Sequence, residues 1–83
     1  MKVAVRGNAR LLGNTPEEII AGLWELGFLV PEGASAQDYL HHLERVLAER
    51  HGVRIPADIA PAERAERVVL ALVETGQLDL LED

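Results

Sequence analysis

Cysteine is absent from the 83 residues, so no disulfide and no thiolate metal site can staple the fold. Basic residues are in the minority, 8 against 14 acidic, for a net charge of −6. That balance argues against a general phosphate-binding surface. Long apolar runs are missing too, and the start, Met1-Lys2-Val3-Ala4, is not a signal peptide. No internal repeat or low-complexity tract interrupts the chain. These absences point to a soluble, cytoplasmic domain.

The apolar fraction of 48% and charged fraction of 27% match ordinary globular averages, which sets wholesale disorder aside. A chain of this length buries roughly 60–65% of its unfolded surface, enough for one core. Residues 1–83 are therefore expected to form a single domain.

Lys2-Val3-Ala4-Val5-Arg6 alternates, with Val3 and Val5 on one side and Lys2, Ala4 and Arg6 on the other. Gly7-Asn8 is a turn dipeptide, and Ala9-Arg10-Leu11-Leu12 can return from it as the second strand of a hairpin. Thr15-Pro16-Glu17-Glu18 then supplies a cap hydroxyl, Pro at the first helical position and Glu three residues after the cap. Thr15 can accept a backbone N–H of the first turn, while Glu18 can reach back to the N–H of Thr15. Ile19, Ile20, Leu23 and Leu26 follow at helical spacing up to Gly27.

A connector with Pro31 and Gly33 precedes Ser35, which caps a second helix striped by Tyr39, Leu40, Leu43, Val46 and Leu47. His51 and Gly52 end it. Val53 and Ile55 can bridge onto the core as an extended segment. Pro61 opens a third helix with Ala65, Val68, Val69, Leu72 and Val73 turned inward, closed by Gly76. Gln77-Leu78-Asp79-Leu80-Leu81 alternates once and fits a last strand beside the first. The expected fold is α+β, in the order β-β-α-α-α-β: an N-terminal hairpin, three helices on one sheet face and a short C-terminal strand.

Entered directly from a short strand, Thr15-Pro16-Glu17-Glu18-Ile19 resembles the helix start of small uncharacterised proteins of bacteria and their phages. The likeness covers about the first quarter of the chain. It implies an accessory protein and brings no catalytic or ligand residues with it.

Catalysis has little to build on. Ser35 and Thr15 serve as helix caps, and no triad or nucleophile-elbow pattern surrounds them or Thr75 and Tyr39. His41 and His42 diverge by about 100° on their helix. Asp38 and His42, four apart, offer two ligands where zinc needs at least one or two more. Arg45 and His51 resemble the loose Arg–His motif of HEPN-type ribonucleases, yet lie about 120° apart on one helix. No enzyme, cofactor or metal site is therefore expected; a small metal-dependent or ribonuclease-like enzyme is the third reading.

Charge is uneven along the chain. Residues 1–13 hold Lys2, Arg6 and Arg10 without an acid, a charge of +3, which leaves −9 for residues 14–83. The alternative reading is thus a weak nucleic-acid-binding accessory protein using Lys2, Arg6 and Arg10. Against it stand the few charges, the repulsion of the acidic remainder and pairing with Asp79, Glu82 and Asp83 on a neighbouring strand.

The leading reading comes from apolar residues that helical geometry places off the core. Trp24 lies about 140° from Ile19, and Leu70 falls among Glu63, Glu66 and Glu74. Phe28, Leu29 and Val30 form an apolar run, and Leu78, Leu80 and Leu81 an edge strand able to pair with another chain. The expectation is an acidic protein–protein interaction module, an adaptor or inhibitor with a protein partner or a second copy as a homodimer. Its contact residues would be Trp24, Phe28, Leu70, Leu78 and Leu80. Each has a plainer reading: Trp24 covers a core edge, and a single exposed Leu is ordinary.

Overall fold

The computed structural model describes residues 2–7 and 14–82. Within them the order is β1 (Lys2–Val5), α1 (Pro16–Leu26), α2 (Ala36–His51), α3 (Pro61–Glu74) and β2 (Leu78–Glu82). The return strand expected at residues 9–12 lies outside the described residues. Together β1 and β2 make a two-stranded antiparallel sheet, so the chain's two described ends meet.

Helices α1 and α2 begin and end where their boundary residues dictate. Thr15 Oγ1 accepts the N–H of Glu18 at 3.2 Å, and Pro16 occupies the first turn. The Glu18 carboxylate reaches back to the N–H of Asn14 at 3.2 Å, one residue earlier than a capping box requires. At the far end Gly27 adopts φ 75°, with its N–H on Trp24 O at 3.1 Å and that of Phe28 on Leu23 O at 3.0 Å. This is a Schellman motif, and it turns Phe28 back onto the core beside Leu23. Ser35 caps α2 through the N–H of Asp38 at 3.3 Å, and Gly52 ends it at φ 69°. Ala60, before α3, makes no side-chain cap.

The core gathers Val3, Ile19, Leu23, Tyr39, Leu43, Leu47, Val68, Val69, Ala71, Leu72 and Leu78. The middle position belongs to α3, which packs against α1, α2 and β2. The helices therefore form a cluster around α3 rather than a row spread across the sheet. Two strands offer too narrow a face to seat three helices about 10 Å wide. Ala4, expected on the polar side of β1, is buried as well, so the strand is covered on both faces at its centre.

Pairing runs Val5 with Leu78, Ala4 with Asp79 and Val3 with Leu80, then Lys2 with Glu82. Leu81 is the extra residue at this irregularity, and opposes none on β1. Residues 53–55 join no strand. Val53 and Ile55 pack inward against the core while Arg54 between them points out.

Candidate functional site

The outward stripe of α3 is Glu63, Glu66, Arg67, Leu70 and Glu74, spaced to share one face of the helix. Facing it across a shallow groove of about 550 Å³ are Val53, Arg54 and Ile55. Leu70 thus lies among Glu63, Glu66 and Glu74, where helical angles put it, and is 36% exposed. Glu63 is paired with Arg67 at 3.3 Å.

A second groove of about 510 Å³ runs along the other side of the same segment, lined by Arg45 and Ala48 of α2 and by Arg54, Ile55 and Pro56. Arg54 and Ile55 belong to both walls, so residues 53–56 form a ridge between two grooves.

The second groove is bounded by an ion pair that sequence reading missed. Arg64 Nη1 of α3 bonds to Glu44 Oε1 of α2, with side chains only 17% and 13% exposed. Arg64 Nη2 also donates to Ala57 O at 2.9 Å, and His41 Nδ1 lies 3.2 Å from Glu44 Oε2. Twenty residues separate Arg64 from Glu44. Only their position on touching helices brings them together. The pair fixes the α2–α3 connection and, through Ala57, the far end of the ridge.

Arg6 of the basic N-terminal segment donates through Nε at 3.1 Å and Nη2 at 3.0 Å to Asp79 Oδ1 of β2. Its guanidinium also lies 3.4 Å from where a Cβ on Gly76 would stand. Lys2 sits opposite Glu82 in the register, and Arg10 lies outside the described residues. The basic face is therefore engaged with the C-terminal strand at Arg6.

The expected contact residues divide into two groups. Trp24 and Phe28 are half-buried and packed on the core, and Leu78 is buried within it. The Leu78 side chain is thus withheld from any partner, because it pairs with Val5 and faces the core. Leu70 and Leu80 are exposed, Leu80 by 41%, and Leu81 joins them at 54%. Among the described strands β2 also has one edge without a neighbour.

Tyr39 is buried, its hydroxyl donating to Phe28 O, and burial raises its pKa well above the usual phenol range. It holds the connector after α1 against α2 rather than presenting a nucleophile. Thr15 and Ser35 serve as caps, while Thr75 Oγ1 donates to Leu72 O at 3.3 Å. His51 Nε2 lies 3.3 Å from Gln77 Nε2, tying the end of α2 to the turn before β2. Among the described residues no group of three or more His, Asp or Glu side chains is placed to hold a metal ion. No helix among the described residues is long and apolar enough to cross a membrane.

These features describe a small α+β domain with two open grooves and a few exposed leucines. No family model, curated protein or solved structure matches the chain.

Proposed function

We propose that the protein is a small acidic protein–protein interaction module, acting as an adaptor or as an inhibitor that presents negative charge to a basic cleft. The observation that carries this reading is the set of large apolar side chains left at the surface: Leu70 on α3, and Leu80 and Leu81 on β2. Two lie on a strand that has no neighbour at one edge among the described strands, the kind of element that accepts another chain by backbone pairing. The third sits in a groove between acidic residues, where an apolar anchor ringed by charge suits a partner bearing both. Membership in a nucleic-acid-binding class draws no comparable support, since Arg6 is already paired with Asp79.

The test is affinity capture from a nuclease-treated lysate, comparing the wild type with the Leu70→Glu/Leu80→Glu variant. The reading expects a protein retained in near-stoichiometric amount by the wild type and lost from the variant. Equal retention by both, or retention by neither, contradicts it.

A further inference from the structure

We infer that the ridge of residues 53–56 and the two grooves beside it are where a second copy of this chain docks, about a two-fold axis. The inference deepens the reading above, on which it rests, by naming the partner and the surface. Its first support is shape. A ridge flanked by a groove on each side is self-complementary: after a half-turn, each ridge can enter a groove of its mate.

Its second support is charge. On the α3 side, Glu63 is satisfied by Arg67, which leaves the carboxylates of Glu66 and Glu74. On the α2 side, Arg64 is satisfied by Glu44, which leaves the guanidinium of Arg45, and the ridge itself carries that of Arg54. None of these four side chains has an ion pair or hydrogen bond with any described residue. Two unpaired acids thus line the groove on the α3 side and the unpaired Arg45 the groove on the α2 side, with Arg54 on the ridge between them. A two-fold axis beside the ridge sets the acids of each protomer toward the arginines of its mate. Leu70 and Ile55 supply the apolar centre, with the charges at the rim.

Charge reversal with mixing tests this on the full chain by sedimentation equilibrium. Arg45→Glu/Arg54→Glu and Glu66→Arg/Glu74→Arg are each expected to raise the dimer dissociation constant about tenfold or more. Mixed in equal amounts they are expected to form a heterodimer close to wild-type affinity, because one half of the interface keeps its native unlike pairs and the other half regains unlike pairs with the sign exchanged. The wild-type dimer should also weaken as salt rises from about 0.05 to 0.5 M, which requires no variant. A wild type that stays monomeric to millimolar concentration, a salt-insensitive dimer, or a mixture that fails to associate overturns the inference. A monomeric wild type whose partner capture still depends on Leu70 and Leu80 would sink the self-docking while leaving the interaction module standing. Loss of both would sink the two together.

Discussion

The indole of Trp24 meets the ring of Tyr39 edge-on, with centroids 5.3 Å apart and planes at 64°. This contact joins α1 to α2, and the Tyr39 hydroxyl extends the junction by donating to Phe28 O in the connector. One aromatic pair therefore packs two helices and pins the segment between them. It also assigns Trp24 to the core edge, so the only tryptophan belongs first to stability.

Replacing Trp24 with Ala should lower unfolding free energy by about 2–3 kcal/mol, from lost burial and the lost ring contact. Urea denaturation measures it. A change below about 0.5 kcal/mol would show the ring free at the surface.

Tyr39 gives the fold a defined weakness in alkali. Its native pKa is raised by burial, while the unfolded phenol titrates near ~10. Below that pH both states keep the proton and this residue adds no pH dependence. Above it only the unfolded state releases the proton, so stability falls by about 1.4 kcal/mol per pH unit. Tyr39 is the sole tyrosine, so tyrosinate absorbance reports it alone. The absorbance should rise together with unfolding rather than before it. Tyr39→Phe should remove this slope at a neutral-pH cost of about 1 kcal/mol, because Phe28 O loses its donor.

The Glu44–Arg64 pair predicts non-additivity. Arg64→Met alone leaves a largely buried carboxylate without its partner and should cost about 2–3 kcal/mol. The double variant Glu44→Leu/Arg64→Met should recover much of that loss, as measured by urea midpoints. Additive losses would mean that the two side chains act independently.

Gly27 tests how sharply α1 is stopped. A Cβ there would meet nothing within 4 Å, so Gly27→Ala isolates the cost of φ 75°. About 1 kcal/mol of destabilisation is expected by thermal or chemical unfolding.

Local chemistry explains which parts of this fold were legible beforehand. Thr15, Gly27, Ser35 and Gly52 act within a few residues of themselves, so helix limits follow from spacing. The stripes of α2 and α3 likewise place Leu43, Leu47, Val68 and Leu72 inside. The β1–β2 pairing followed from alternation in two short end segments, and the Arg6–Asp79 pair followed from that pairing.

Contacts set by helix packing were not legible. Trp24 sits at the margin of its stripe, and only the approach of Tyr39 from α2 decides that it packs inward. Leu78 and Leu80 share a strand side, yet one is buried and the other open, which no alternation distinguishes. Arg64 and Glu44 stand twenty residues apart with no spacing that signals a pair, and only the approach of α2 to α3 brings them together. For the candidate surface, Leu70 and its acidic neighbours were visible from helical angles. The basic groove opposite was not, because residues 53–56 carry no periodic signal of their own.

The most direct test of the interaction reading is the retained-protein yield from nuclease-treated lysate, wild type against Leu70→Glu/Leu80→Glu. Both positions are exposed, so the variant should fold with a melting temperature within a few degrees of wild type, about 0.5 kcal/mol or less. A protein, whether another chain or a second copy, held by the wild type and released by the folded variant is the predicted result. Unchanged retention, or none in either case, would contradict the account.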